Sequence, residues 1–393
     1  MKENLIPVTV LSGYLGSGKT TLLQHVLHEA HGLKIAVIVN DMSEINIDGS
    51  LVKKGDLIRT DEKLVEMQNG CICCTLRDDL LIEVQKLAEN GGIDYILIES
   101  SGISEPIPVA QTFTYKDEEL DIDLSKYCRL DTMVTVVDGS RFFEDFASGE
   151  SLLERKQAAD ETDSREVADL LIEQIEFADV LILNKTDLLN EEEQEKLFWS
   201  LRKLNPDCRI ISAAFAKVPL SAIMNTKSFD FEKASQSAGW IKELNEEHTP
   251  ETEEFGISSF VYQKQRPFHP ERLKRWLENW PPQIIRAKGF FWLASRNDTA
   301  GLLSQAGSSL MIQSAGPWIA ASTEEEQKLA FEEDPNLKAD WDETYGDRKT
   351  EIVFIGIDMN QEDVIRSLDQ TLLTDKEMNS DWSAFHDSLP EYI

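Results

Sequence analysis

Residues 13–20 read Gly-Tyr-Leu-Gly-Ser-Gly-Lys-Thr and match the phosphate-loop pattern G-x-x-x-x-G-K-[ST]. An apolar strand-like run precedes them and an amphipathic helical run follows. In such a loop the glycines let backbone N–H groups wrap phosphates, and the helix N-terminus adds a favourable dipole. We expect the ammonium of Lys19 to reach the β- and γ-phosphates and the hydroxyl of Thr20 to bind Mg²⁺. The residues assigned to the nucleotide here are Gly13, Gly16, Ser17, Gly18, Lys19, Thr20 and Thr21.

A second motif, Asn184-Lys185-Thr186-Asp187, follows the apolar run at 180–183. A carboxylate at Asp187 can accept hydrogen bonds from both N1–H and the 2-amino group of guanine, a donor pair that adenine lacks. Asn184 would secure the base and its loop, and the stem of Lys185 would lie over the ring. Ser212 follows another strand-like run and suits the loop that closes on the guanine. The two motifs together predict a site for GTP.

A third group of residues could handle Mg²⁺ and the attacking water. The apolar run at 95–98 ends in Glu99, whose carboxylate can bind or orient Mg²⁺ and water. The N–H of Gly102 could contact the γ-phosphate and sense its loss. Asp41 and Glu44 follow the second strand-like run and are candidates for a switch segment near Mg²⁺. We assign catalysis to Lys19, Glu99 and Gly102.

Three of the five cysteines fall within four positions, at Cys71, Cys73 and Cys74. Thiolates are soft ligands that suit Zn²⁺ or Cu⁺, and three of them can hold one ion with the fourth position open. An odd cysteine count does not indicate a disulfide framework. A redox pair remains an alternative, because Cys71 and Cys74 have the C-x-x-C spacing. His25, His28 and His31 share a helix, on the face opposite its apolar residues; we expect an exposed face there, with an auxiliary metal patch as the alternative.

Charge and hydropathy limit the partners. The formal net charge is −33, which argues against nucleic acid or an anionic membrane as the main partner. No apolar run is long enough to cross a bilayer, and no apolar leader precedes the first strand, so we expect a cytoplasmic protein. The sequence leaves open whether the chain forms a homo-oligomer.

Apolar runs and helical patterns alternate over the first ~220 residues, as expected of parallel strands that helices cover on both faces. We predict a doubly wound α/β phosphate-loop NTPase domain with a mostly parallel sheet over residues 1–225, an acidic linker over 226–254, and a smaller α+β domain over 255–393. The predicted strands of the first domain are Val8–Ser12, Ile35–Asn40, Leu57–Arg59, Tyr95–Glu99, Thr132–Asp138, Val180–Asn184 and Arg209–Ser212. Its predicted helices include Thr20–Ala30, Leu76–Glu89, Ser164–Phe177 and Glu191–Leu204. In the second domain we predict strands Ile257–Gln263, Phe290–Ala294, Leu310–Gln313, Gly316–Ala320 and Glu351–Ile357, and helices Pro270–Asn279 and Gln361–Leu372.

The chain resembles the CobW-like metallochaperone GTPases, which belong to the class of phosphate-loop GTPases that includes the urease and hydrogenase nickel-insertion proteins. The segments that carry the resemblance are GYLGSGKT, IAVIVND, GCICCT, ILIESSG and NKTD, in that order, and GISSFVYQKQRPFHPERL, IRAKGFFWLAS and GDRKTEIVFIGI in the second domain. The resemblance covers most of the chain, and its most specific element is C-x-C-C between the phosphate loop and the ESSG strand.

The resemblance implies that Cys71, Cys73 and Cys74 bind the transported metal. It assigns Glu99 to the Mg²⁺ and water region. Many members read N-E-F-G-E-x-G after the second strand, whereas this chain reads Asn-Asp-Met-Ser-Glu-Ile-Asn at 40–46. The chain lacks the histidine-rich tract of many members and looks closest to those associated with zinc limitation.

The resulting hypothesis is a GTPase that binds zinc at the cysteine site and passes it to client apo-metalloenzymes when GTP is hydrolysed. Cobalt in the same role is one alternative, because ligand identity alone does not separate Co²⁺ from Zn²⁺. A metal sensor or buffer without useful turnover is another. A nucleotide-dependent kinase is a third, and the N-K-x-D motif speaks against it.

Overall fold

The computed structural model describes residues 5–30, 32–40, 63–67, 75–114, 116, 122–158, 163, 165–236, 256–333, 335–338 and 341–392. The chain divides into two compact units, residues 1–239 and 240–393. No helix in the described ranges combines the length and the apolar content that a membrane span needs.

The first unit is built on a parallel sheet whose inner strands are mostly apolar. The strands are β1 (Ile6–Ser12), β2 (Ile35–Asn40), β3 (Lys63–Met67), β4 (Tyr95–Glu99), β5 (Cys128–Asp138), β6 (Val180–Asn184) and β7 (Arg209–Ser212). Their order across the sheet is β3-β2-β4-β1-β5-β6-β7, and every neighbouring pair is parallel. Every residue of β4 and β6 is buried, because helices cover both faces.

Two apolar clusters hold the helices against the two faces of this sheet. The helices are α1 (Lys19–Glu29), α2 (Thr75–Asn90), α3 (Pro106–Thr114), α4 (Phe142–Phe146), α5 (Val167–Glu176), α6 (Glu191–Leu204) and α7 (Phe231–Gln236). On one face, Leu81 of α2 and Val109 of α3 pack with β1, β2 and β4. On the other face, Leu22 and Val26 of α1 pack against the opposite side of the same strands. This arrangement confirms the predicted doubly wound fold.

The predicted strands and helices of the first unit match the observed ones closely where they fall on described residues. The run Leu57–Arg59 lies outside the described residues. Strand β3 was not predicted, and neither were α3 and α4. Helix α3 begins with the apolar run at 106–110 and contains two prolines, so its sequence lacks a clear helical period.

Segment 226–236, which the sequence assigns to the linker, packs on the first unit. The carboxylate of Asp131 in β5 is fully buried and accepts hydrogen bonds from the backbone N–H groups of Thr226 (2.9 Å) and Lys227 (3.0 Å). It also accepts from the hydroxyl of Tyr95 (2.9 Å) and the guanidinium of Arg129 (2.6 Å). Further along, Phe231 packs against the first cluster and Ala234 belongs to it.

The second unit combines an antiparallel sheet with helices. Its strands are β8 (Ile257–Lys264), β9 (Ile284–Phe291), β10 (Thr299–Ala306), β11 (Ser309–Pro317) and β12 (Thr350–Ile357). Their order is β11-β10-β9-β12-β8. The helices are α8 (Pro270–Leu277), α9 (Glu324–Glu333), α10 (Gln361–Asp369) and α11 (Asp375–Met378). Leu273 of α8 and Leu368 of α10 join the apolar core of this sheet. The predicted α+β class is confirmed.

Strand positions in the middle of the second unit differ from the prediction. The sequence suggests strands at Phe290–Ala294, Leu310–Gln313 and Gly316–Ala320, whereas the chain forms β9, β10 and one continuous β11. In β9 the apolar residues are interrupted by Arg286 and Lys288, and in β10 by Ser304 and Gln305, so neither strand is a continuous apolar run. A tight turn at residues 307–308 joins β10 to β11, and Gly307 has a φ of 55° there.

Replacing Asp131 with Asn should lower the free energy of unfolding by about 2–4 kcal/mol at pH 7, because a buried carboxylate loses its charge while its donors stay buried. Burial raises the pKa of Asp131, but the hydrogen bonds from Arg129 and Tyr95 outweigh it and hold the pKa below the ordinary 3.8. The stability that this charge provides is therefore present above pH 3.8 and is lost as the pH falls below it. Urea unfolding of wild type and Asp131→Asn at several pH values measures this effect. The difference between their free energies of unfolding should become smaller as the pH is lowered.

The matched control is Asp298→Asn, which alters an ion pair whose carboxylate is 81% exposed. We expect it to change stability by less than about 1 kcal/mol. The charge would not be the source of the stabilisation if the free energies of unfolding of Asp131→Asn and wild type differed by the same amount from pH 7 to pH 3.

Candidate nucleotide site and metal-binding segment

The phosphate loop connects β1 to α1 through three glycines whose backbone conformation disfavours any other residue. Gly13, Gly16 and Gly18 have φ values of 135°, 79° and 111°, all in the left-handed region that side chains disfavour. A Cβ at Gly13 would collide with the carbonyl oxygen of Val136 in β5, and a Cβ at Gly18 would collide with the amide of Asn184. The loop is therefore pressed closely between β5 and the end of β6.

Lys19 places a positive charge at the mouth of this loop. Its side chain is 7% exposed, and its Nζ donates to the carbonyl oxygens of Gly13 (2.7 Å) and Tyr14 (3.4 Å). The first turn of α1 contains no acidic residue, and Gly18 provides no side-chain cap. The ammonium group and the helix N-terminus thus form a local cationic site in a chain of net charge −33.

Thr20 and Glu99 form a pair of hard oxygen donors beside the loop. The Thr20 hydroxyl donates to Oε1 of Glu99 at 2.9 Å, and Glu99 is 2% exposed. The pairing arises because β1 and β4 are neighbours with Leu11 opposite Glu99. A hydroxyl and a carboxylate at this separation have the chemistry that Mg²⁺ prefers.

Asn184 joins three parts of the site. It is buried at the end of β6; its Nδ2 donates to the carbonyl oxygen of Ser17 (2.9 Å), and its Oδ1 accepts from the backbone N–H of Ala216 (2.8 Å). The side chain therefore connects the phosphate loop to the loop after β7. The neighbouring Lys185 donates to the carboxylate of Asp138 at the end of β5.

The loops that would close on a guanine base are held against each other. Thr186 donates through its N–H (3.2 Å) and its hydroxyl (3.1 Å) to the carbonyl oxygen of Ala213. Asp187 and Ser212 are exposed on either side of this contact. An exposed carboxylate next to a fixed backbone can accept hydrogen bonds from a ligand that enters from solvent. Phe215, which the sequence did not single out, is 66% exposed on the same loop as Ser212, with a φ of 53°.

Gly102 lies against the phosphate loop. A Cβ at Gly102 would come within 2.8 Å of the backbone nitrogen of Leu15 and within 2.6 Å of its side chain. A hydrogen bond from the N–H of Ser104 to the carbonyl oxygen of Ser101 (3.1 Å) closes the turn that contains Gly102. The structure thus brings Gly102 together with Lys19, Thr20 and Glu99 at one edge of the sheet.

Several predicted site residues lie outside the described residues. These are Cys71, Cys73, Cys74, Asp41, Glu44 and His31. Within the described ranges, no group of three or more His, Cys, Asp or Glu side chains could hold a metal ion. Burial raises the pKa of the isolated thiols of Cys128 and Cys208 to about 12, which makes them poor metal ligands.

The histidines of α1 differ from one another. His28 is exposed, as the helical spacing predicts. The expectation that His25 is exposed was wrong, since it is half-buried and its Nε2 lies 2.9 Å from the carbonyl oxygen of Val218. The segment around Val218, which covers His25, is distant in sequence, so the residue pattern of α1 alone could not predict this contact.

Sequence reasoning also missed Gln174, a polar residue on the buried side of α5. It is 1% exposed and lies on a buried surface that is mostly apolar but also contains Asp169. A glutamine at a position with this apolar spacing is a signal that could have been used, because a fully buried glutamine needs partners.

Comparison with known proteins gives matches in both units. Residues 7–212 match the model described as CobW/HypB/UreG, nucleotide-binding domain, and residues 257–372 match the Cobalamin synthesis protein cobW C-terminal domain. The chain is similar to Zinc-regulated GTPase metalloprotein activator 1 of Dictyostelium discoideum, with 47% identity over 95% of this chain and 81% of that protein. It is similar to Zinc chaperone YjiA of Escherichia coli, with 29% identity over 92% of this chain and 97% of that protein. Zinc chaperone CobW of Pseudomonas aeruginosa is 33% identical over 56% of this chain and 59% of that protein.

Replacing Asn184 with Ala should weaken GDP binding about tenfold or more, because two hydrogen bonds that fix the phosphate loop and the loop after β7 are lost, each worth about 1 kcal/mol. Isothermal titration calorimetry with GDP measures this directly. Asn205→Ala is the matched control, since Asn205 is also fully buried and donates to the carbonyl oxygens of Ile175 and Ala178, away from the site. It should lower stability and leave GDP affinity unchanged. Equal GDP affinities for Asn184→Ala and wild type would show that this amide does not organise the site.

Proposed function

Because the chain belongs to the CobW/HypB/UreG family and is a GTPase, we propose that it binds zinc through Cys71, Cys73 and Cys74 and delivers the ion to client metalloproteins under the control of the nucleotide. The observation that carries the proposal is the position of the cysteines in the chain. They belong to the seven residues, 68–74, between the end of β3 at Met67 and the start of α2 at Thr75.

The topology of the first unit supports a link between this segment and the nucleotide. Val39 of β2 pairs with Glu99 of β4, and Asn40 pairs with Met67 of β3. In a parallel sheet the carboxyl ends of all strands lie at one edge, where open α/β sheets bind their ligands. The segments that carry the cysteines, Asp41 and Glu44 therefore leave the sheet at the same edge as the phosphate loop.

The donor set supports a soft divalent ion. Three thiolates satisfy three of the four tetrahedral positions of Zn²⁺ and leave one open. An open position suits delivery, since an incoming ligand from a client can bind before the last thiolate leaves. Three relatives are named as zinc-regulated or as zinc chaperones, which agrees with zinc as the ion. Three closely spaced thiols also require a reducing compartment, so we place the protein in the cytoplasm.

The nucleotide site supplies the other half of the mechanism. We assign the phosphates of GTP to Lys19 and to the backbone N–H groups of the glycine loop, together with Ser17 and Thr21. Guanine is assigned to Asp187, with Lys185 and Ser212 beside it and Asn184 as the residue that holds the loops. Thr20 and Glu99 would hold Mg²⁺, with Asp41 and Glu44 as further candidates, and the ion would offset the negative charge of the phosphates.

Coupling between the two halves requires a modest free energy. Contact of the γ-phosphate with the N–H of Gly102, and of Mg²⁺ with the carboxylates of Asp41 and Glu44 after β2, would favour the cysteine arrangement with high zinc affinity. Hydrolysis would release it, and the ion would pass to the client. A tenfold difference in zinc affinity between the two nucleotide states needs about 1.4 kcal/mol, well within the usual range of allosteric coupling.

Cobalt is a second candidate ion, favoured by the match of residues 257–372 to a domain described in cobalamin synthesis. Three thiolates accept Co²⁺ as well as Zn²⁺, but Zn²⁺ generally binds such sites more tightly. Competition between the two ions for the GTP-bound protein distinguishes the candidates.

Zinc should bind about tenfold more tightly in the presence of a non-hydrolysable GTP analogue and Mg²⁺ than in the presence of GDP and Mg²⁺, for the coupling reason given above. Competition with a chromogenic zinc chelator measures both affinities. Cys73→Ala should reduce zinc affinity by at least tenfold and leave GDP affinity unchanged, because it removes one of the three thiolates.

Cys208→Ala is the control for this experiment, since Cys208 is buried beside Asn205 and far from the cysteine segment in the chain. It should leave zinc affinity unchanged. Equal zinc affinities in the two nucleotide states would contradict control by the nucleotide. Undiminished zinc binding by Cys73→Ala would contradict the cysteine site.

A further inference from the structure

Gln174 contacts the turn that contains Gly102. The side chain is buried in α5, and its Nε2 donates to the carbonyl oxygen of Gly102 (3.3 Å) and to that of Ser104 (3.1 Å). The amide nitrogen has two hydrogens, and both find an acceptor on this one turn. The two acceptors also fix the orientation of the amide, because its oxygen could not replace the nitrogen as a donor.

These bonds restrict the peptide groups on both sides of the turn. The bond between the N–H of Ser104 and the carbonyl oxygen of Ser101 orients the peptide that carries the Gly102 N–H. The bonds from Gln174 orient the peptides after Gly102 and after Ser104. Rotation of the Gly102 N–H away from its present direction would therefore break at least one of these bonds.

Gln174 is itself held close to the phosphate loop. Its own carbonyl oxygen accepts from the hydroxyl of Thr135 (2.7 Å). Thr135 lies in β5 opposite Ser12, the residue directly before the phosphate loop. Gly102, on the other side of the glutamine, abuts Leu15 within that loop. The glutamine thus spans from the strand beside the loop to the turn that touches the loop.

The remaining polar atom of Gln174 points to a functional reason for this residue. Its Oε1 is buried and accepts no hydrogen bond from the described residues. A buried acceptor without a donor lowers stability, and an apolar side chain of the same shape would avoid that cost. A glutamine here is best explained by what its N–H groups do for the turn.

We propose that Gln174 is a positioning residue that fixes the Ser101–Ser104 turn, so that the N–H of Gly102 meets the γ-phosphate and the protein distinguishes GTP from GDP. The inference rests on the role assigned above to Gly102, and it does not depend on the metal. Without the glutamine the turn would still form, but its N–H would not be aligned in advance, and binding would have to supply the ordering.

The test replaces Gln174 with Met, which has similar length and removes both donors. The affinity for a non-hydrolysable GTP analogue with Mg²⁺ should fall about tenfold, whereas the affinity for GDP should stay within twofold, because GDP lacks the phosphate that Gly102 contacts. Calorimetric titration gives both values, and kcat for GTP hydrolysis should fall with the analogue affinity. Equal losses for both nucleotides, or no loss for either, would overturn the proposal.

Gln305→Met is the matched control. Gln305 is 1% exposed in the second unit, its Nε2 donates to the carbonyl oxygens of Ile284 and Gly307, and its Oε1 also accepts no hydrogen bond from the described residues. Its replacement removes two donors to backbone carbonyl oxygens, as Gln174→Met does, but both nucleotide affinities should stay unchanged. Should Gln174→Met fail to fold, Gln174→Asn keeps the polar group but is one methylene too short to reach the turn, and the same selective loss is expected.

The variant Gly102→Ala tests the role of Gly102 independently of the role of Gln174. Its Cβ would meet Leu15 and displace the turn, so it should weaken binding of the GTP analogue more than binding of GDP. If Gly102→Ala has this effect and Gln174→Met does not, the positioning role of Gln174 is wrong and the role of Gly102 stands. If neither variant alters the preference for the GTP analogue over GDP, the roles assigned to Gly102 and to Gln174 are both wrong.

Discussion

The two hydrogen bonds of the Asn184 side chain hold the site of this protein together. One end of the amide binds the carbonyl oxygen of Ser17 in the phosphate loop, and the other end accepts from Ala216 beyond β7. Strands β1 and β6 are separated by β5 in the sheet, so backbone pairing alone does not connect these loops. Gly18 leaves the space into which the amide fits. The parts that would bind phosphate and base are thereby fixed relative to each other before a ligand arrives, which lowers the ordering cost of binding.

The elements that position the site could be predicted because their chemistry is local. A parallel strand covered on both faces is a short apolar run, and β4 and β6 have that pattern up to their last residues, Glu99 and Asn184. Glycines at 13, 16 and 18 are required by backbone conformation, so the phosphate loop is visible in the sequence. The strands of the second unit were harder to predict, because β9 and β10 carry charged, polar and small residues and β9 also pairs with β12, which is distant in sequence.

What the sequence could not provide is the set of contacts between distant segments. The half-buried state of His25 depends on Val218, and the role of Gln174 depends on a turn 70 to 72 residues earlier. Neither partner is indicated by local composition or period. The cysteine segment shows the opposite case: its donor chemistry is plain in the sequence, while its arrangement stays a prediction. Motifs therefore predict the chemistry of the site, and packing shows which residues hold its loops in place.

The Asp131 carboxylate has a consequence for how the first unit is made. Two of its donors, the N–H groups of Thr226 and Lys227, follow it by 95 and 96 residues. During synthesis from the N-terminus, β5 emerges before these two donors exist, so an early sheet would leave the carboxylate with only its nearer partners, Tyr95, Arg129 and Thr132. We expect this end of β5 to stay accessible to water until residue 227 has left the ribosome. Because two of its donors are distant in sequence, we expect this contact to form late in folding, although the carboxylate is well satisfied in the finished protein.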